Sequence, residues 1–173
     1  MTNDETGESA PDGFRIMVVC LGNICRSPMA AAVLRSKLAA AGQTDVLVDS
    51  SGTSDWHVGE PADARAGATL RAAGYDPTHS AQQFQSRHLS AYDLILVMDD
   101  DNLRQLQSHG PAGRQVRKFR EFDPIVAAGD ELSIPDVPDP YYGGSAGFED
   151  VLRMVERTSE AIVAALQAGE LRR

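Results

Sequence analysis

Cysteine is scarce in this sequence, and its scarcity limits the compartment in which the protein can work. Only two of the 173 residues are cysteine, Cys20 and Cys25. Two cysteines so close together cannot form the disulfide framework of a small secreted domain. A reducing compartment is therefore the default, and we expect a cytoplasmic protein.

Long apolar runs and an excess of basic charge are also missing. No run approaches membrane-spanning length, and residues 1–13 are acidic and lack the apolar core of a signal peptide. We predict that they form a disordered acidic tail. The formal net charge is −9 at pH 7, which argues against nucleic acid or an anionic membrane as a partner. An anionic substrate would have to be attracted by local groups, against the overall field.

The most informative stretch runs from residue 14 to residue 28 and predicts a strand, a tight loop and a helix in immediate succession. Residues 16–19 are apolar and mostly β-branched, as in a central strand buried on both faces. Ser27 has the side chain of an N-cap, and Pro28 is a residue favoured at the first helical position. We therefore expect the helix to begin after Ser27.

A short loop between a strand end and a helix N-terminus turns its backbone N–H groups inward and can bind an anion. Gly22 and Asn23 tolerate the backbone angles that such a loop needs, and Arg26 can hold a phosphate with two hydrogen bonds. Cys20, beside those donors, is expected to act as a thiolate nucleophile in phosphoryl transfer. The alternative, a packing cysteine before an ordinary helix cap, leaves Gly22, Asn23 and Arg26 unexplained.

Two motifs together resemble those of a known enzyme family. Cys20-x5-Arg26-Ser27 resembles the signature loop of the low-molecular-weight protein tyrosine phosphatases, and Asp139-Pro140-Tyr141-Tyr142 resembles their acid loop. The resemblance implies a single phosphatase domain over residues 14–168. It also implies hydrolysis of phosphotyrosine in proteins, with neither a metal nor an organic cofactor.

The resemblance further implies roles for individual residues. Cys20 would take the phosphoryl group, and Asp139 would act as general acid and then as general base. Ser27 would donate a hydrogen bond to the Cys20 thiolate. His79 matches a position that supports the asparagine of the phosphate loop, and Cys25 matches a cysteine that can form a protective disulfide with oxidised Cys20. The expected substrate-binding set is Leu21, Gly22, Asn23, Ile24, Cys25, Ser27, Trp56, Tyr141 and Tyr142.

The rest of the chain predicts an α/β fold of the flavodoxin-like type. Three more strands are predicted, at 46–52, at 93–98, where the chain has an apolar run, and at 116–119. Amphipathic patterns indicate helices between and after them, including 63–73 and 148–166. Such a pattern is typical of a four-stranded parallel sheet with helices on both faces, for which we predict the order 2-1-3-4. Three consecutive carboxylates at 99–101 fit a helix start better than a metal site. The remaining segment, residues 120–147, reads as one long loop of the kind that is usually functional.

Two other functions remain open. An arsenate reductase can share the scaffold, although its thioredoxin-linked type needs two more cysteines downstream and none follows Cys25. A small-thiol-linked reductase stays open, but the Asp-Pro-Tyr-Tyr segment favours the phosphatase. A non-catalytic phosphotyrosine-binding module is the second alternative, and the retention of Cys20, Arg26 and Asp139 together argues against it. We expect tyrosine-phosphorylated proteins as substrates, and a monomer or a weak dimer.

Overall fold

A four-stranded parallel sheet forms the centre of the computed structural model, which describes residues 13–111, 113–129 and 133–171. The strands lie in the order β2-β1-β3-β4 and are β1 (Phe14–Cys20), β2 (Val46–Gly52), β3 (Leu94–Val97) and β4 (Val116–Lys118). Every neighbouring pair is parallel. The predicted fold class and strand order are therefore confirmed. Residues 1–12 of the predicted acidic tail lie outside the described residues.

Helices cover both faces of the sheet. Along β1, Ile16 and Val18 face one apolar cluster, and Met17 and Val19 face the other, because successive side chains of a strand point to opposite faces. The first cluster includes side chains of α1 (Arg26–Ala40), α2 (Ala64–Ala72) and α6 (Ser145–Gln167). The second includes side chains of α3 (His88–Ala91) and α4 (Asp100–Gln107). No helix in the described part of the chain is long and apolar enough to cross a membrane.

The start of α1 differs from the prediction. Cys25 is the N-cap residue, and no side chain caps the helix there. Ser27 lies inside the first turn, so its predicted role as N-cap was wrong. Its hydroxyl is engaged instead by Cys20 and Asn23. Pro28 still fits, because a backbone N–H in the first turn has no partner within the helix.

The segment predicted as one long loop, residues 120–147, contains short helices. A 3₁₀ helix (Phe119–Phe122) is followed by α5 (Pro124–Ala127), and α6 begins at Ser145. The Asp123 side chain accepts a hydrogen bond from the backbone N–H of Ile125 at the start of α5. The missed signal was the Asp-Pro pair at 123–124, an N-cap followed by a proline at the first helical position.

Candidate active site

The loop after β1 wraps around the sulfur of Cys20. The backbone N–H of Asn23 donates to Cys20 Sγ at 3.2 Å, and Ser27 Oγ lies 3.0 Å from the same sulfur. Ser27 Oγ also accepts from Asn23 Nδ2 at 2.8 Å, and the Ser51 carbonyl is more distant, at 3.5 Å. The hydroxyl hydrogen of Ser27 is therefore available to the sulfur. The Asn23 backbone N–H and the Ser27 hydroxyl therefore both lie within hydrogen-bond distance of the Cys20 sulfur.

Asn23 holds this loop in shape. Its φ of 57° lies in the left-handed region that asparagine tolerates better than most residues. The side chain donates to Ser27 and to Ser50 Oγ at 2.9 Å and accepts from the backbone N–H of Gln82 at 2.9 Å. The carbonyl of Asn23 accepts from His79 Nε2 at 2.6 Å. Burial lowers the pKa of His79, so the ring is neutral at pH 7 with its proton on Nε2.

Arg26 is buried beside the sulfur, with 3% of its side chain exposed. Its Nη1 donates to Asp99 Oδ2 at 2.7 Å and to the Val137 carbonyl at 3.1 Å, and its Nη2 lies 3.6 Å from Asp139 Oδ2. Burial works against its charge, but Cys20 and Asp99 outweigh burial and raise the pKa of Arg26. The guanidinium is therefore fixed and charged at the edge of the loop.

A cavity of about 180 Å³ opens above Cys20. The residues that line it come from the loop after β1, the loop after β2 and the segment 139–142, which follows β4 in the chain, because parallel strands bring their carboxyl ends to one edge of the sheet. The lining is Cys20, Leu21, Gly22, Ile24, Cys25, Arg26, Trp56, His57, Asp139, Tyr141 and Tyr142. Three predicted residues, Asn23, Ser27 and His79, do not line the cavity. They form the hydrogen bonds that support the loop around Cys20.

Aromatic side chains form the mouth of the cavity. Trp56 is 69% exposed and Tyr142 is 92% exposed, while the Tyr141 and Tyr142 rings meet edge to face at 5.0 Å. The Arg65 guanidinium lies over the Tyr141 ring at 5.4 Å and over Phe148 at 4.7 Å. Flat apolar walls above a set of anion donors suit an aryl phosphate.

Comparison with known proteins decides the family. The family model described as low molecular weight phosphotyrosine protein phosphatase matches residues 15–171. The chain belongs to this family. Protein-tyrosine phosphatases are hydrolases, so this is a family of enzymes, and the predicted family is confirmed.

Individual relatives agree with the family assignment. A Streptomyces coelicolor protein named low molecular weight protein-tyrosine-phosphatase is 47% identical over 158 residues, which cover 89% of this chain and 94% of the relative. A Sus scrofa low molecular weight phosphotyrosine protein phosphatase is 38% identical, over 86% of this chain and 92% of the relative. The crystal structure of an Entamoeba histolytica protein tyrosine phosphatase with Hepes in the active site aligns with a TM-score of 0.82 and 32% identity, covering 91% of this chain and 99% of that one.

Cys25 lines the same cavity as Cys20, and neither cysteine is in a disulfide. Burial, followed by the charges of Asp63 and Cys20, raises the pKa of Cys25 to about 12. Its thiol is therefore protonated at neutral pH, unlike an activated nucleophile.

The carboxylates at 99–101 have separate partners. Asp99 caps α4 through Oδ1, which accepts from the Asn102 backbone N–H at 2.7 Å, and bonds Arg26 through Oδ2. Asp100 pairs with Lys118 at 3.0 Å, and Asp101 pairs with Arg104. In the part of the chain that the structure describes, no three His, Cys, Asp or Glu side chains are grouped so as to hold a metal ion.

Sequence reasoning missed several residues of this phosphatase site. Asp99 was interpreted as a helix cap alone, and its contact with Arg26 spans 73 positions, beyond any local pattern. His57 lines the cavity with its Nδ1 2.6 Å from Glu60 Oε2; its place next to Trp56 was the available signal. Ser50, which binds the Asn23 amide, lies two residues before the end of β2 and had no distinguishing pattern.

Proposed function

We propose that the protein hydrolyses phosphotyrosine in proteins through a cysteinyl-phosphate intermediate. The observation that carries the proposal is the arrangement at the cavity floor. The Cys20 sulfur lies under two hydrogen-bond donors, beside the buried Arg26 guanidinium, and Asp139 Oδ2 is 3.6 Å from that guanidinium. A nucleophile, an anion clamp and a carboxylate thus share one small cavity.

In the first step the thiolate of Cys20 attacks phosphorus, and the bond between phosphorus and the phenolic oxygen breaks. Protonated Asp139 gives its proton to the departing oxygen, so that tyrosine leaves neutral. The loop N–H groups and Arg26 bind the three equatorial oxygens, where negative charge collects in the transition state. Asp139 is accessible to the leaving group, with 37% of its side chain exposed.

In the second step water attacks the cysteinyl phosphate. Asp139, now a carboxylate, takes a proton from the water, and the bond between sulfur and phosphorus breaks to release inorganic phosphate. The departing thiolate is stabilised by the Ser27 hydroxyl, whose hydrogen is available to the sulfur. No external oxidant or reductant is needed, because the reaction is a hydrolysis.

The aromatic mouth supports a preference for phosphotyrosine. Trp56, Tyr141 and Tyr142 line the cavity above a buried sulfur, and Cys20 is only 3% exposed. A phosphate carried on an aromatic ring reaches such a depth and packs its ring against the walls. Phosphoserine has a short alkyl arm, which holds its phosphate close to the peptide backbone.

The test is turnover of matched phosphotyrosine and phosphoserine peptides without added metal. We expect kcat/KM for phosphotyrosine to be higher by at least about 100-fold, on the order of 3 kcal/mol of transition-state discrimination. Cys20→Ser should abolish turnover while binding of inorganic phosphate remains measurable by calorimetry. Equal efficiency on the two peptides would contradict the substrate class, and substantial turnover by the serine variant would contradict the nucleophile.

A separate assay with arsenate tests the alternative that the protein is an arsenate reductase. The protein would be incubated with arsenate and a small-thiol reductant, and arsenite would be measured. We expect no arsenite above background, because the segment Asp139-Pro140-Tyr141-Tyr142 favours a phosphatase over a small-thiol-linked reductase. A binding module without catalysis would bind phosphotyrosine peptides in the same assays and release no phosphate.

We also propose a cytoplasmic protein with a single domain at 14–168, which acts as a monomer or weak dimer. Two free thiols in one pocket suit a reducing compartment. Sedimentation velocity across a concentration series and fractionation of cells would test these proposals.

A further inference from the structure

Lys118, the last residue of β4, has its ammonium among three oxygen acceptors. Nζ lies 2.5 Å from the Ile134 carbonyl, 2.6 Å from Asp136 Oδ1 and 3.0 Å from Asp100 Oδ1. Only 9% of the side chain is exposed. An ammonium has three N–H donors and no acceptor, so the three oxygens match its donors. A buried charge with such partners fixes the groups around it.

Two of these acceptors belong to the segment that leads to the proposed acid. Ile134 and Asp136 precede Asp139 in the chain, and Asp136 is separated from it only by Val137 and Pro138. Proline restricts its own φ and the backbone of the residue before it. An anchor at Asp136 therefore limits where the Asp139 carboxylate can lie.

Val137 is a second anchor of the same segment. It is completely buried, its N–H donates to the Met98 carbonyl at 2.8 Å, and its own carbonyl accepts from Arg26. Lys118 holds the chain immediately before this residue. Losing the ammonium would free one anchor and leave the other, so a partial loss of positioning is expected rather than a collapse of the segment.

The third acceptor, Asp100, connects Lys118 to the start of α4, where the N-cap residue Asp99 binds Arg26. Asp136 Oδ1 also accepts from the Asp100 backbone N–H at 3.1 Å, and Asp100 follows Asp99, the partner of Arg26. Burial works against the charge of Lys118, but the hydrogen bonds that its ammonium donates to Asp136 and Asp100 raise its pKa. The ammonium is thus charged at neutral pH and joins the acid segment to the start of α4.

We propose that Lys118 is a positioning residue for the general acid: its ammonium holds Ile134 and Asp136 so that Asp139 faces the leaving-group oxygen. This inference rests on the proposed function in that Asp139 is taken as the acid. Neither the sequence pattern nor the resemblance pointed to Lys118, which lies in a strand rather than in a motif.

The test is Lys118→Met, which removes the ammonium and keeps the length of the side chain. The readout is kcat/KM for phenyl phosphate, a poor leaving group, and for 4-nitrophenyl phosphate, a good one that needs little protonation. We expect kcat/KM to fall about 10-fold for phenyl phosphate and less than about 2-fold for 4-nitrophenyl phosphate. The larger loss is a fraction of the whole contribution of general acid catalysis. The inhibition constant for inorganic phosphate should not change, because the loop around Cys20 is untouched.

Arg117→Met is the matched control. Arg117 precedes Lys118 in the same strand but pairs with Glu121 and lies over the Phe122 ring, so both substrates should keep their wild-type kcat/KM. If Lys118→Met does not fold, Asp136→Ala carries the same test, because it removes the loop side of the tether. An equal loss on both substrates, or no loss on either, would overturn the proposal.

Asp139→Asn separates this inference from the function on which it rests. We expect it to show the larger leaving-group-dependent loss, and Lys118→Met should add little in the double variant, because both act through one carboxylate. If Asp139→Asn shows the dependence and Lys118→Met does not, only the role of Lys118 falls. If Asp139→Asn shows no dependence, the acid assignment fails, and the role of Lys118 falls with it.

Discussion

At the scale of single residues, the two terminal nitrogens of Arg26 have different surroundings. Nη1 is occupied by Asp99 and Val137, whereas Nη2 is directed toward Asp139. A planar guanidinium can keep its anchors and still present a donor to a phosphate, whereas a lysine ammonium is a single point. The buried anchors therefore determine which residue type can work at this position.

Arg26→Lys tests that requirement. We expect kcat/KM for phosphotyrosine peptide to fall by at least about 100-fold, because removing one preorganised donor from a transition state commonly costs that much. The inhibition constant for phosphate should rise as well. Steady-state kinetics at pH 6 and 7 would measure both, and a loss of only a few-fold would show that the guanidinium is dispensable.

Cys25 offers a second prediction at this scale. Burial, then Asp63, then the Cys20 charge raise its pKa to about 12, and oxidation of Cys20 to a sulfenic acid removes the last of these. A thiol lining the same cavity can then condense with the sulfenic acid and release water. Cys25→Ser should keep most of the turnover but lose the recovery by dithiothreitol after peroxide.

Mass spectrometry would identify the product. Oxidised wild-type protein should contain one Cys20–Cys25 link, and oxidised Cys25→Ser should contain sulfinic or sulfonic acid at Cys20. If recovery is unchanged in the variant and no link forms, Cys25 is a packing residue.

At the scale of elements, the end of β2 supports the loop after β1. A side chain built on Gly52 would place its Cβ 2.7 Å from the Leu21 carbonyl oxygen and 3.1 Å from the Asn23 backbone nitrogen. Both atoms belong to backbone, which cannot give way as a side chain can. The loop around Cys20 can therefore adopt this conformation only if residue 52, at the end of β2, has no side chain.

Gly52→Ala should displace that loop. We expect kcat/KM to fall by about 10-fold or more, since small misplacements of reacting groups cost large factors, with weaker phosphate binding and a lower melting temperature. Gly67→Ala is the control: in α2 its nearest atoms are 3.8 Å away, so activity should stay and stability should rise slightly, as for alanine in a helix. Wild-type kinetics in Gly52→Ala would contradict the close approach.

Local sequence patterns predicted the helices and strands well but the contacts between distant segments poorly. Apolar runs predicted β1 and β3, since burial on both faces leaves a mark on four or more consecutive residues. The hydroxyl of Ser27 could serve a helix or a neighbouring sulfur, and the sequence did not distinguish these partners. The contacts of Arg26 with Asp99 and of Lys118 with Ile134 depend on packing between distant segments, for which no local pattern exists.

At the scale of the whole molecule, buried histidines determine how stability responds to mild acid. His88 is 4% exposed; its Nδ1 accepts from the Gln85 backbone N–H at 2.9 Å, and its ring meets the edges of Phe84 and Tyr92. Burial lowers the pKa of His88, as it does that of His79. The unfolded chain therefore binds protons at a higher pH than the native protein.

The contribution of these two histidines to the free energy of unfolding should be complete above pH 6.5. It should fall as the pH drops below about 6.5 toward the lowered native pKa values. Carboxylates whose pKa is lowered, such as Asp123, affect stability only at more acidic pH. Urea unfolding at pH 7.5 and 5.5 would measure the difference. His88→Asn, which retains an acceptor for Gln85, should be less stable at pH 7.5 but lose less on acidification. An unchanged pH slope in this variant would contradict a role for His88.

The long-range contacts of Arg26 also determine when the site can form during synthesis of the chain. Arg26 donates hydrogen bonds to the Val137 carbonyl, 111 positions later in the chain, and to Asp99, 73 positions later. These partners are therefore synthesised long after the loop around Cys20. A nascent chain that has emerged only through β2 carries the thiol and its loop, with no fixed guanidinium and no proposed acid. Because chains are translated from the N-terminus, we expect hydrolytic activity to begin only after residues 137–139 have been synthesised and have packed against Arg26, so that Cys20, the proposed nucleophile, is idle until then.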